Sequence, residues 1–115
     1  MAFSEIERRR VEKAVGSFVE RRRPPVHIRP KLDLDFEVAG QSVLIFEVGP
    51  DWQDASMKPR DSVAKATYVR RADEWRIYWE RADLRWHRYK PRPTVHSIEE
   101  FLRVVDVDAH SCFFE

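Results

Sequence analysis

Apolar and polar residues alternate along two segments of the chain, residues 31–38 and residues 75–80. This period of two is typical of a strand with one buried face, because successive side chains leave a strand in opposite directions. The two faces of the second segment are Trp75, Ile77 and Trp79 on one side, and Arg76, Tyr78 and Glu80 on the other. We therefore predict two half-buried strands, with Leu32, Leu34, Phe36 and Val38 facing the core from the first.

Further strands are predicted from apolar runs bounded by turn residues. Residues 42–48 are apolar on both faces, which is typical of a strand inside a sheet. Residues 62–71 form a third strand, residues 84–89 a short final one, and the prolines after it end the sheet. Residues 49–61 are predicted to be a loop, in which Trp52 either covers the core or stacks on a ligand.

Helical periodicity marks both ends of the chain. Ser4 and Glu7 form a capping box, and Pro24 ends the first helix. The predicted buried stripe of this helix is Ile6, Val11, Ala14, Val15, Phe18 and Val19. Ser97 and Glu100 repeat the capping box before a second amphipathic helix, whose stripe is Ile98, Phe101, Leu102 and Val105.

These elements predict an α+β fold in the order α-β-β-β-β-(β)-α. An antiparallel sheet of four to five strands carries the N-terminal and C-terminal helices on one face. A chain of 115 residues is long enough for one hydrophobic core, so residues 1–115 are predicted to form a single domain.

Charge is balanced overall but divided along the chain. The net charge is +1, which gives no general attraction to nucleic acid or to anionic membranes. Residues 32–57 carry six acidic and no basic side chains, whereas residues 58–93 carry eleven basic and five acidic ones. This division reflects either pairing within the fold or one basic and one acidic surface.

The basic segment also contains most of the large aromatic residues, which makes nucleic acid a candidate partner. Aromatic rings stack on bases and arginines neutralise phosphates. The candidate contact residues are Arg76, Tyr78, Arg81, Arg85, Trp86, Arg88 and Tyr89. The competing interpretation is that the tryptophans belong to the core and that the arginines are an ordinary solvated face.

Two other roles are open to the same region and its neighbours. Asp83, Trp86 and His87 would form a buried polar brace, in which the carboxylate accepts a hydrogen bond from the imidazole or the indole. A protein-interaction or homo-oligomerising module would instead use an exposed apolar face at Val43 and Ile45, together with the Phe113-Phe114 tail.

The sequence contains little that indicates a catalytic site. Asp33 or Asp35, then Glu47, then Lys65 follow the order of a metal-dependent hydrolase or nuclease site, but without its tight Glu-x-Lys spacing. The histidines, Cys112 and the aspartates near the C-terminus lack a metal-binding spacing. We therefore predict no catalytic residues, metal or cofactor, and favour a non-enzymatic binding module.

The cellular compartment is predicted from the cysteine content and from the lengths of the apolar segments. Cys112 is the only cysteine, so no disulfide within the chain is possible. The start of the sequence lacks the apolar core of a secretory signal, and the longest apolar run is far shorter than a membrane span. We expect a cytoplasmic protein without a membrane partner.

Three segments carry a family resemblance: Ala64-Lys65-Ala66, residues 75–89 and residues 105–114. The run Trp79-x-Arg-Ala-Asp-Leu-x-Trp-His-x-Tyr89 is the most specific part. The chain resembles the small bacterial domain-of-unknown-function 3024 family over nearly its whole length, although Glu115 departs from the small residue expected there. The resemblance implies a stand-alone bacterial cytoplasmic protein and brings no established activity.

Overall fold

The computed structural model describes residues 3–49 and 60–114, which form two helices, a short 3₁₀ turn and six strands. The elements in chain order are α1 (Glu5–Arg22), β1 (Asp33–Ala39), β2 (Ser42–Val48), β3 (Arg60–Val69), the 3₁₀ turn (Arg70–Ala72), β4 (Glu74–Glu80), β5 (Trp86–Arg88), β6 (Thr94–Val95) and α2 (Ile98–Val107). Together they confirm the predicted α+β fold.

The sheet is antiparallel, and its strands lie in the order β1-β2-β3-β4-β5. The short strand β6 pairs with β4 beside β5, through Trp75 opposite Val95. The sequence does not predict this strand, because Pro91 and Pro93 indicate the end of the sheet. Pro93, just before β6, has no N–H, but its carbonyl accepts a hydrogen bond from the Ile77 N–H of β4 at 3.0 Å.

Both helices pack on one face of the sheet, called here the covered face. Val38, Val43, Ala66 and Ile77 are neighbours across four strands and form one row of this face. The helices bury Val11, Val15, Phe18 and Val19 from α1, and Ile98, Phe101, Leu102 and Val105 from α2. Each large aliphatic or aromatic side chain buried in this way contributes about 1.5–3 kcal/mol.

The helix ends follow their sequence signals. Ser4 Oγ accepts from the Glu7 N–H and the Glu7 carboxylate accepts from the Ser4 N–H, so the first capping box is complete. Ser97 caps α2 by accepting from the Glu100 N–H at 3.2 Å. The predicted second capping box is only half formed, because the Glu100 carboxylate accepts from Arg92 at 3.4 Å rather than from the Ser97 N–H. Ile6 was predicted to be buried and is 75% exposed, since it lies five residues before Val11 and so falls outside the helical spacing of the buried stripe.

Several strand boundaries differ from the prediction. Strand β1 begins at Asp33, and the Leu32 N–H bonds instead to the Ile28 carbonyl in the preceding turn, which leaves Leu32 41% exposed. Strand β3 begins at Arg60 and ends at Val69, two residues earlier than predicted at each end. The predicted role of Trp52 lies outside the described residues.

The apolar surface predicted for a protein partner is wrong. Val43 and Ile45 are fully buried beneath the helices, and Phe113 is 4% exposed. The segment after α2 folds back because the Asp108 carboxylate accepts from the backbone N–H groups of three residues, Cys112, Phe113 and Phe114. None of the helices in the described part of the chain is long and apolar enough to cross a membrane.

Candidate nucleic-acid interface

The face of the sheet opposite the helices, called here the outer face, carries a row of cationic and aromatic side chains. Lys65 on β3, Tyr78 on β4 and Arg88 on β5 are cross-strand neighbours, so their side chains share this face. Lys65 Nζ lies 5.5 Å from the centroid of the Tyr78 ring, and Arg88 Cζ lies 5.9 Å from it. Both distances are within the range of cation–π attraction.

Trp86, the first residue of β5, lies on the same face beside this row. Lys65 Nζ is 5.8 Å from the Trp86 ring, so one ammonium group lies near two aromatic faces. We call Lys65, Tyr78, Trp86 and Arg88 the outer-face cluster. The cross-strand partner of Trp86 is Glu80, which is the acidic residue at this end of the sheet.

Not all of the predicted contact residues reach the cluster. Arg76 lies on the outer face between Thr67 and Thr94, and Arg85 is exposed just before β5. Arg81 turns the other way, with Cζ 5.5 Å from the ring of Trp79, whose neighbours on the covered side include Ile77.

Tyr89 was predicted to lie at the surface and does not. It is 2% exposed, and its ring centroid lies 4.8 Å from that of Phe113 on the covered side. Burial raises the pKa of the Tyr89 hydroxyl, because the charged form loses its solvation. Tyr89 directly follows β5, and its side chain lies on the covered side. It is therefore a packing residue.

The predicted brace is only partly assembled. The Asp83 carboxylate lies 2.8 Å from His87 Nε2 and also accepts from the Arg85 N–H at 2.9 Å. Its hydrogen bond with His87 holds the pKa of the Asp83 carboxyl below its ordinary value. Asp83 is exposed and His87 half-buried, so the pair stabilises the turn between β4 and β5 from the surface.

The opposite end of the outer face is acidic and internally paired. Arg23 donates two hydrogen bonds to the Asp33 carboxylate, at 2.9 and 2.8 Å. Arg60 donates to Glu37 at 3.1 Å while its guanidinium lies 3.6 Å from the centroid of the Phe46 ring. The cations at this end are therefore already neutralised.

The arrangement expected of a metal-dependent hydrolase is not assembled. Glu47 is the cross-strand neighbour of Leu34 on the covered side, whereas Lys65 lies on the outer face. Burial and then the nearby charge of Asp61 raise the pKa of Glu47. Within residues 3–49 and 60–114, no group of three or more His, Cys, Asp or Glu side chains is placed to hold a metal ion.

Lys65 is the member of the cluster that sequence reasoning assigned elsewhere. The sequence connects Lys65 with the hydrolase alternative and not with Tyr78, because the register between β3 and β4 cannot be read from either strand alone. Val63 forms a bulge in β3, since Ile45 pairs with Ala64 and Phe46 pairs with Ser62. Pairing across strands, rather than spacing along one of them, brings Lys65 to Tyr78.

Fold and surface together define a small α+β domain with helices on one sheet face and a cationic-aromatic cluster on the other. The chain belongs to the family described as domain of unknown function (DUF3024), whose model matches residues 3–115, as the resemblance predicted. No curated protein and no solved structure matches the chain.

Proposed function

We propose that the outer face of β3, β4 and β5 binds single-stranded nucleic acid without catalysing a reaction. The observation that supports this most strongly is the position of Lys65 Nζ, 5.5 Å from the Tyr78 ring and 5.8 Å from the Trp86 ring. A cation between two half-exposed aromatic rings provides, in one place, a contact for a phosphate and two surfaces for bases.

The available charge supports the same partner. In the described part of the chain Lys65, Arg76 and Arg88 form no ion pair, in contrast to Arg23 and Arg60 at the acidic end. Cations that are not neutralised within the fold are able to replace the counterions of a nucleic-acid backbone. Arg85 adds a further exposed charge at the start of β5.

A single strand suits this surface better than a duplex. A sheet face offers its rings to unstacked bases, whereas the bases of a duplex present only their edges in the grooves. Asp35 on β1, which pairs with no cation in the described part of the chain, repels phosphates from the far end of the same face. The bound strand is therefore expected to follow β3, β4 and β5.

Location in a bacterial cytoplasm is part of this proposal. The single cysteine and the family resemblance support it.

The test is fluorescence anisotropy of short labelled oligonucleotides, single-stranded and duplex, at about 50 and 200 mM salt. Tyr78→Ala is expected to weaken single-strand binding by about 1–3 kcal/mol, because one stacking surface is lost. Tyr78→Phe retains the ring and is expected to retain the affinity. Lys65→Gln with Arg88→Gln should flatten the salt dependence by about 1.4 in the slope of log K against log salt.

The matched control is Lys13→Gln with Arg103→Gln, which removes one lysine and one arginine from the helix side of the sheet. Both residues are exposed, so the change in net charge is the same and the outer-face cluster is untouched. Equal losses in the two double variants would show that only overall charge matters. Preferential binding of the duplex would also overturn the proposal.

A further inference from the structure

A groove of about 870 Å³ runs between α1 and α2, on the opposite side of the sheet from the outer-face cluster. We propose that this groove binds an acidic amphipathic helix of a partner protein. The site is separate from the proposed nucleic-acid surface and does not depend on it.

The floor of the groove is aromatic and aliphatic. Phe3 lies against Trp75 and Tyr68, with ring centroids 5.6 and 6.2 Å away, and Val11 and Leu102 line the walls from the two helices. Phe3 and Tyr68 are only half-buried, so part of this surface is accessible to apolar side chains of a partner. An apolar floor between helices is the usual receptor for the apolar face of another helix.

The rim of the groove carries unneutralised positive charge. Arg10, Lys13 and Arg21 line it from α1, and Arg103 lines it from α2. All four are exposed, and within residues 3–49 and 60–114 none of them forms an ion pair. Arg21 Nε donates only to the carbonyl of Ser17, at 3.4 Å.

Most acidic groups of the rim are already used by the fold. Glu7 accepts two hydrogen bonds from Arg70, at 3.1 and 3.0 Å. Asp106 pairs with Arg22 at 2.5 Å, and Asp73 accepts from the Tyr68 hydroxyl at 2.7 Å. Asp73 keeps its charge beside the neutral Tyr68 hydroxyl, and Glu99 has no cationic partner in the described part of the chain. The four cations of the rim therefore face two uncompensated carboxylates, and the rim presents an excess of positive charge to a ligand.

The spacing of these cations favours a helical partner. At 1.5 Å per residue, Lys13 lies about 4.5 Å along α1 from Arg10, and Arg21 about 12 Å beyond Lys13. Carboxylates on successive turns of a helix recur every 5.4 Å or so and match this line, whereas one compact anion reaches only one or two of the cations. Electrostatic complementarity of this kind gives both specificity and faster association.

The probe is a labelled synthetic peptide of about 16 residues, with Leu at helical spacing on one face and Glu beside it. Its partners are the same peptide with every Glu changed to Gln, and a scrambled peptide of the same composition. The acidic amphipathic peptide is expected to bind several-fold more tightly than either. Lys13→Gln with Arg103→Gln should weaken it about five- to tenfold, since two exposed ion pairs are lost.

Lys65→Gln with Arg88→Gln serves as the matched control and should leave peptide affinity unchanged. Chemical-shift changes at Phe3, Ala14 and Leu102 would place the peptide in the groove. Equal binding of the acidic and Gln peptides, binding mapped to the outer face, or no binding would overturn the inference. So would an oligonucleotide that binds the groove more tightly than the peptide does.

Discussion

The two faces of strand β4 differ in burial from Glu74 to Tyr78. Ile77 is fully buried under the helices, and Tyr78, the next residue, is half-exposed beside Lys65 and Arg88. The covered face is aliphatic and aromatic over four strands. The outer face has an acidic end, an apolar centre and a cationic-aromatic end.

This difference separates residues that hold the fold together from residues that are available for binding. An antiparallel sheet needs only one buried face, so the fold does not require large aromatic rings on the other. Cross-strand pairs on an exposed face contribute about 0.2–1 kcal/mol each, well below the contribution of a buried side chain. The proposed binding role of Tyr78, Trp86 and their cations rests on this difference, because the fold itself gains little from them.

The difference between the covered face and the outer face is tested by truncating two neighbouring residues of β4 in separate variants. Ile77→Ala removes a fully buried side chain and is expected to lower the free energy of unfolding by about 2–5 kcal/mol, because it leaves a cavity. Tyr78→Ala removes an outer-face ring and should cost about 1 kcal/mol or less. Urea unfolding of both variants measures the difference. Equal losses would mean that the outer face is a second core surface.

The next largest effect concerns the segment that closes the covered face. Asp108→Asn keeps a residue type that tolerates its positive φ of 43°, but replaces one acceptor oxygen with a donor. Three backbone N–H groups depend on that carboxylate, so we expect a loss of about 1–3 kcal/mol in urea unfolding. Glu99→Gln, on an exposed part of α2, should stay within about 0.5 kcal/mol of the wild type. Similar midpoints for the two variants would deny Asp108 this role.

Much of the covered face could be predicted from the sequence, because burial leaves a periodic pattern. The stripe of α1 from Val11 onward follows that pattern, and β2 is marked by a continuous apolar run. Leu32 was misassigned because a pattern does not show where a strand begins, and Ile6 because it does not share the helical spacing of the buried stripe. Strand β6 has two residues, too few to have a period.

The smallest effect is a pH dependence at the start of α1. The hydrogen bond from Arg70 and then the one from Ser4 lower the pKa of Glu7 from 4.5 to about 2. The folded state thus favours the charged carboxylate, and its contribution to stability is present above pH 4.5 and lost as the pH falls through about 2. Glu7→Gln keeps the capping group but not the charge.

This variant should be less stable than the wild type at neutral pH, with the difference in urea midpoint closing as the pH approaches 2 or so. Arg9→Gln, whose partner Glu5 is an exposed neighbour on the same helix, provides a comparison outside the groove. A Glu7→Gln difference that stays constant with pH would show that the Arg70 contact contributes nothing.

The candidate site was less accessible to sequence reasoning than the fold. Arg76, Tyr78, Trp86 and Arg88 were predicted from composition and alternation, and the structure places them on one face. The burial of Tyr89 and the place of Lys65 in the cluster could not be predicted in this way. The first depends on packing against Phe113, and the second on the β3–β4 register, and both are contacts between distant parts of the chain.

Binding at the outer face is tested most directly by a ¹H–¹⁵N chemical-shift map of the labelled protein during titration with a short single-stranded oligonucleotide. We expect shifts concentrated at Lys65, Tyr78, Trp86 and Arg88, with little change along the helices. Shifts confined to the groove between α1 and α2, or none at low salt, would contradict it and would make the outer-face rings structural.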